Sequence, residues 1–261
     1  MIYQAVSALE KNNEPGALCI VVRSRGSTPR QASSKMLVYA DGSILGTVGG
    51  GEMESRVISE ALQSIQDGAA RLLEYSLSEP QRGDPGVCGG QVEIFVEPIL
   101  PKPVLVVVGC GHVGKAVAHL ADWLGFWVVA SDDRAELCNP ETVPEAREYY
   151  PVPFQALTEQ LKVTPWTYFV LTTRGVNIDV LGLPALLDSP AAYIGVIGSR
   201  RRWETSREKL IAAGVFAEKI DKVRSPIGLE MGAETPEEIA VSIMAEIISL
   251  RQGRAVQEKS K

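Results

Sequence analysis

The stretch VVVGCGHVGKA, residues 106–116, runs three valines into Gly109, Gly111 and Gly114, the G-x-G-x-x-G spacing of a phosphate-binding turn. In such a turn the first glycine permits a sharp reversal and the second lets a phosphate approach the backbone. The third lets helix and strand pack closely. A helix opening at His112 adds unpaired amides and positive potential, so a diphosphate-bearing ligand is the expected guest. Asp132 ends the next apolar run, where a carboxylate can accept hydrogen bonds from a ribose, or simply close a strand in solvent.

Three further groups have chemical potential. In GTVGGGEMES, Gly49, Gly50 and Gly51 precede a helix and leave bare amides suited to an anion or to a flat ring. The same glycines also serve a tight strand-to-helix turn, with Glu52 and Glu54 on the positive end of the helix dipole. In GDPGVCGG, Cys88 stands on a glycine-rich loop, where an accessible thiol can ligate a soft metal or carry sulfur, or remain inert. In VIGSRRRW, Ser199 and Arg200 follow a strand end, where they can face a phosphate or form an exposed helix start. The two histidines, His112 and His119, both fall in the fingerprint helix, and His119 reads as a surface residue.

These residues need an α/β framework. Residues 1–100 read as a small α/β domain: a helix carrying Ile2, Val6 and Leu9, the strand GALCIVVRSRG, a hairpin in KMLVYADGSILGTV, a helix after the glycines, and strands RLLEYSL and QVEIFVEPIL. Asp41-Gly42 predicts a two-residue primed turn in the hairpin. The prolines of PKP, 101–103, predict a domain boundary. Residues 103–253 alternate apolar strands (PVLVVVG, FWVVASD, TYFVLTT, AAYIGVIG) with helical segments, which predicts a Rossmann-like, doubly wound parallel sheet. Thr235, Pro236 and Glu238 form a capping box for a last helix, whose Ile239, Val241, Ile243, Met244, Ile247 and Ile248 are expected to bury most of its girth. Residues 254–261 read as a frayed tail.

Of the 261 residues 45% are hydrophobic and 22% charged, enough for a sizeable core, and the net charge of −6 offers no basic footprint for nucleic acid. No apolar run approaches the roughly 20 residues of a membrane span, and the first residues lack a secretory pattern, so a cytoplasmic protein is expected. Cys19, Cys88, Cys110 and Cys138 form no C-x-x-C pair, which argues against a disulfide framework or zinc ribbon.

Five blocks taken in order, RSRGSTPRQASSKMLVYADGSILGTVGGGEMES, GVCGGQVEIFVEP, VVVGCGHVGKAVAHLADWLGFWVVASDDR, YIGVIGSRRRWETSREKL and PIGLEMGAETPEEIAVSIMAEI, resemble the XdhC/CoxI family, accessory proteins of xanthine dehydrogenase and related molybdenum hydroxylases. The resemblance runs along nearly the whole chain. It implies an N-terminal XdhC/CoxI-type domain and a C-terminal Rossmann domain that bind molybdenum cofactor (molybdopterin). It also implies support of the cofactor's sulfuration by a cysteine desulfurase, and delivery to a xanthine dehydrogenase-type hydroxylase. It implies a homodimer. Under it Gly109, Gly111 and Gly114 cradle the phosphate end of the cofactor, and His112, Asp132, Ser199 and Arg200 are further candidate cofactor-binding residues. Gly49–Gly51 admit the pterin, and Cys88 is the candidate molybdenum ligand or sulfur carrier.

Two positions depart from the family pattern: Glu52 stands where many relatives have cysteine, and TTRGVNIDV offers Arg174, Asn177 and Asp179 where many have histidines. The competing reading is an NAD(P)-binding oxidoreductase, which also requires an acid or base beside the nicotinamide. A nucleotide-binding regulatory sensor is the third.

Overall fold

The computed structural model describes residues 1–26, 28, 30–76 and 90–251. The chain divides into two compact units, Met1–Pro101 and Lys102–Lys261. Cys88 and the tail from 252 onward lie outside the described residues.

The first unit runs α1 (Ile2–Asn12), β1 (Gly16–Arg25), β2 (Lys35–Tyr39), β3 (Ile44–Gly46), α2 (Gly51–Asp67), β4 (Arg71–Ser76) and β5 (Gln91–Ile99). Its sheet has the order β3-β2-β1-β5-β4, antiparallel throughout. Alternation is clean in β5, where Val92, Ile94 and Val96 are buried and Gln91 and Glu97 exposed, as a half-buried strand requires. The helix α2 packs on β1 and β5 through its buried Met53, Val57, Ala61 and Ile65. The hairpin differs from the predicted two-residue turn. Tyr39 N donates to Ser43 O at 2.9 Å across a three-residue loop in which Gly42, but not Asp41, has positive φ (+82°). Asp41 instead accepts from Ser43 N at 2.9 Å and Ser43 Oγ at 2.6 Å, so its carboxylate closes the turn that its backbone was expected to make.

The second unit runs β6 (Val104–Val108), α3 (His112–Trp123), β7 (Trp127–Ser131), β8 (Glu148–Tyr150), a 3₁₀ turn (Phe154–Ala156), α4 (Leu157–Gln160), β9 (Thr167–Leu171), α5 (Val176–Leu187), β10 (Tyr193–Val196), α6 (Arg200–Ala212), α7 (Ala217–Ile220) and α8 (Pro236–Arg251). The sheet is parallel with order β10-β9-β6-β7-β8. Leu105 and Val107 of β6 join one core with residues of α3 and α8, while Val106 and Val108 join another with residues of α5 and α6. Both faces are thus covered, which is why the strands read as continuous apolar runs. The order reverses at β6, between β9 and β7, and places a topological switch point at the carboxyl end of β6.

The capping box of α8 forms: Glu238 N donates to Thr235 Oγ1, and Thr235 N donates to Glu238 Oε2, each at 3.2 Å. Its buried face is narrower than predicted. Ala240, Ile243, Met244 and Ile247 are buried at helical spacing, while Val241 and Ile248 are 46% and 37% exposed. On the inner face Glu246 is buried, and its carboxylate accepts from Tyr193 Oη at 2.6 Å.

Helix and strand approach each other closely at the fingerprint. A Cβ on Gly114 would lie 2.0 Å from Gly109 O, whereas one on Gly111 would meet nothing within 4 Å. Gly114→Ala is therefore expected to lower stability by about 1–3 kcal/mol through overpacking. Gly111→Ala, with open space at its Cβ, should cost no more than the loss expected at an N-cap, under about 1 kcal/mol, both read from denaturant midpoints.

Candidate functional site

The glycine turn between β6 and α3 is held from two strands. Gly109, at φ +104°, donates its amide to Ser131 O of β7 at 2.8 Å, and its carbonyl accepts from Thr172 Oγ1, just beyond β9, at 2.5 Å. A Cβ on Gly109 would lie 2.6 Å from Thr172 O, so both the backbone angle and the space demand glycine. The amide of Cys110 donates to Asp132 Oδ2 at 2.8 Å. The N-cap of α3 is Gly111, and no side chain caps it. The first-turn amides of a helix have no intrahelical acceptor, so the turn presents donors and a positive dipole end to open space.

Beside the turn lies a cleft of about 200 Å³ at the carboxyl ends of the parallel strands. Gly109, Asp132, Asp133, Arg134, Thr173 and Arg174 line its polar side. Val152, Pro153, Phe154 and Ile178 form an apolar wall. The wall is placed by packing, since Phe154 lies against Gly182 of α5 so closely that a Cβ there would fall 2.0 Å from its ring. Ser131 lines the same cleft, is fully buried, and has no hydrogen-bond partner for its hydroxyl among the described residues. Buried hydroxyls are ordinarily paired, so this one is a donor and acceptor in reserve.

Asp132 is not the free ribose acceptor that its strand-end position suggested. It is 4% exposed, and Arg134 Nε donates to Oδ1 and Arg134 Nη2 to Oδ2, each at 2.9 Å. The Arg134 amide adds a bond to Oδ1 at 3.0 Å. Burial works to raise the carboxyl's pKa, but these bonds and the Cys110 amide outweigh it and hold the group below the usual carboxylate range. The neighbouring Asp133 faces outward and forms a two-pronged pair with Arg174, at 2.8 and 2.7 Å, across from β9 to β7.

His112 opens α3 but lines a different groove, of about 510 Å³, together with Lys115, His119 and Glu145. His119 is exposed and paired with Glu145 at 2.7 Å. Ser199 caps α6 by accepting from Arg202 N at 3.3 Å, and Arg200 is exposed. The inward arginine is Arg202, which binds the fully buried Asp179 at 2.7 Å and Thr173 Oγ1 at 2.9 Å. Three consecutive arginines carry no sequence signal of which one turns inward.

In the first unit Gly49, Gly50 and Gly51 all have positive φ, but the amides of Gly49 and Gly50 are not bare. Gly49 N donates to Thr47 Oγ1 at 3.1 Å, and Glu54 Oε2 accepts from Val48 N and Gly50 N, each at 3.2 Å, and from Thr47 Oγ1. The chain's own carboxylate thus fills the concavity. Glu52 is turned to Arg56 at 2.6 Å.

The described cysteines, Cys19, Cys110 and Cys138, are buried. Burial pushes the Cys19 thiol up to about 12, and hydrogen bonding to Cys138 with burial pushes Cys110 up, so both are protonated and unreactive at neutral pH. Among the described residues no group of three or more His, Cys, Asp or Glu side chains could hold a metal ion. No helix among them is long and apolar enough to cross a membrane.

A carboxylate with a depressed folded pKa stabilises fully above its unfolded pKa, and loses that contribution as pH falls through the folded one. Asp132→Asn should thus cost about 1–3 kcal/mol at neutral pH. Its unfolding midpoint should converge on that of the wild type as the medium is acidified below the carboxylate range.

A family model described as the XdhC Rossmann domain matches residues 105–247, and one described as the XdhC and CoxI family matches residues 9–76. The chain is 38% identical to the uncharacterised protein YqeB of Escherichia coli (strain K12) over 252 residues, 96% of this chain and 46% of YqeB. It is 32% identical over 163 residues to a probable xanthine dehydrogenase subunit of Bacillus subtilis (strain 168), a match that covers 62% of this chain and 47% of that protein. The chain thus spans about half the length of these two relatives. Along 95% of its length it is 22% identical to the molybdenum cofactor insertion chaperone PaoD of Escherichia coli (strain K12), of which it covers 86%. The crystal structure of a xanthine dehydrogenase from Bacillus halodurans shares the fold, with a TM-score of 0.53 and 22% identity over 98% of this chain and 97% of that one. With the Rossmann match alone spanning more than half of its residues, the chain belongs to the XdhC and CoxI family.

Proposed function

We propose that this protein is an accessory factor that binds molybdenum cofactor and supports its sulfuration and insertion into a xanthine dehydrogenase-type molybdenum hydroxylase. The observation that carries the reading is the phosphate turn: Gly109 and Gly114 admit no side chain, Gly111 is open, and no side chain caps α3. Molybdopterin ends in a phosphate, and its dinucleotide forms in a diphosphate, so the cofactor's anionic end fits this turn. Similarity to PaoD, named as a molybdenum cofactor insertion chaperone, supports the same guest.

In this reading the amides of Gly111 and the first turn of α3 bind the phosphate, and Thr172 keeps the turn in shape. The Ser131 hydroxyl supplies one further hydrogen bond within the cleft. Once in its client, the cofactor supplies the metal-centred redox chemistry of the holoenzyme. Cys88 is the proposed soft ligand or sulfur carrier. A cysteine desulfurase as sulfur source, a homodimeric state and a cytoplasmic location belong to the same proposal and rest on family membership. An NAD(P)-dependent oxidoreductase is the second reading, favoured by the strand order around the switch point. It lacks a histidine at the cleft, since both histidines line the other groove.

Purification from cells that make molybdenum cofactor, with pterin, molybdenum and nicotinamide assayed together, decides between them. Stoichiometric pterin without nicotinamide is expected, and nicotinamide without pterin overturns the proposal. Gly111→Val should retain about tenfold less pterin, a loss of about 1.4 kcal/mol, while remaining folded with a stability lowered by no more than about 1 kcal/mol. Cys88→Ala should abolish activation of an apo-hydroxylase; unchanged activation removes Cys88 from the mechanism.

A further inference from the structure

The cleft beside the phosphate turn has features that a phosphate alone does not use. One side is the apolar wall of Val152, Pro153, Phe154 and Ile178, and the other is the row of charged residues from Asp132 to Arg134 with Arg174. The helix terminus is not the sole indication of a ligand. Ser131 is fully buried, lines the cleft and has an unpartnered hydroxyl. An apolar wall, a charged rim and an anion cradle together fit a base, a sugar and a 5′-phosphate in that order.

The carboxylate expected to meet the sugar in such a fold stands immediately after β7, and that residue is Asp132. Here Asp132 is buried and already bonded by the Cys110 amide and the half-exposed Arg134. Asp133 differs in both respects. Its side chain is 39% exposed and its close partner is Arg174, itself 50% exposed. An exposed ion pair of this kind contributes little to stability and is exchanged readily. Arg174 also stands in the loop between β9 and α5, beside the switch point, and can serve either a carboxylate or a phosphate with the same two-pronged geometry.

We propose that the cleft binds the ribonucleoside 5′-diphosphate portion of a dinucleotide, with Asp133 rather than Asp132 accepting the ribose hydroxyls. Arg174 then exchanges Asp133 for a ligand phosphate. The inference rests on the reading of the α3 turn as the phosphate site, and narrows the ligand to a nucleotide-bearing form. The shared chemistry is that of a pterin dinucleotide or a nicotinamide dinucleotide.

The test is calorimetric titration of the full chain with pyrophosphate, with CDP, GDP and ADP, and with their 2′-deoxy counterparts. The wild type should bind at least one ribonucleoside diphosphate about tenfold more tightly than pyrophosphate, and more tightly than its deoxy form. A tenfold ratio corresponds to about 1.4 kcal/mol. Asp133→Asn should erase the ribo-over-deoxy preference while pyrophosphate affinity stays at or above that of the wild type, because Arg174 loses its competing carboxylate. Arg174→Ala should weaken pyrophosphate while keeping that preference. Thermal unfolding of each variant at the wild-type midpoint shows that the fold is retained. A preference for CDP or GDP assigns the cleft to a pterin dinucleotide and a preference for ADP to a nicotinamide dinucleotide, and either supports the role of Asp133. Equal binding of pyrophosphate and nucleotides overturns this inference and leaves the phosphate turn standing. A ribose preference that survives Asp133→Asn overturns it as well, and absence of any pyrophosphate binding overturns both.

Discussion

Everything in the candidate site depends on how closely the first turn of α3 approaches the end of β6. With a Cβ on Gly114 excluded by Gly109 O at 2.0 Å, the helix lies against the turn as no other residue would allow. Its amides then sit at the carboxyl edge of the sheet. Thr172 and Ser131 complete the fixing by bonding the carbonyl and amide of Gly109 from the two neighbouring strands. A turn made of backbone groups has no side chains to adjust, so its geometry is set by what holds it in place. Here that is the three-strand clamp.

The acidic pair after β7 divides its work according to burial. Asp132, buried, is neutralised within the fold by Arg134 and the Cys110 amide, which ties the turn to the loop after β7. Asp133, one residue on, points outward to Arg174 and remains exchangeable. A buried carboxylate must be paired to stay ionised, whereas an exposed one can change partners at small cost. In the first unit the half-buried Glu54 collects the Val48 and Gly50 amides and the Thr47 hydroxyl. The helix α2 thereby carries its own anion, while α3 has none. Ser199 and the Thr235–Glu238 box likewise cap α6 and α8 from within the chain.

Much of the framework is legible in the residues. Continuous valine runs identify the parallel strands because both faces of that sheet are covered. Thr235-Pro236 with Glu238 identifies the start of α8 because capping is a local matter of three residues. The short β8 and the helix α5 carry no comparable signal. Three residues, EYY, are too few to show a period, and Gly182 and Pro184 interrupt the pattern of VNIDVLGLPALL. Yet these two elements frame the wall of the cleft, through Val152–Phe154 and Ile178. Apolar positions in α8 were legible as a set but not as a face, since Val241 and Ile248 turn away from Ile243 and Ile247.

The glycine turn follows from residue order alone, because the demand for glycine at Gly109 and Gly114 is local and steric and can be read from spacing. Family membership follows in the same way, through five blocks in order. Which polar groups remain available to a ligand is settled instead by packing. Whether Asp132 or Asp133 is taken up by buried hydrogen bonds, whether Arg200 or Arg202 turns inward, and whether the amides at Gly49 and Gly50 are bare all depend on which partners the fold brings near or on the direction of a side chain. Hydrogen bonds and ion pairs are satisfied by whatever the fold brings near, and residue type alone does not specify what that will be.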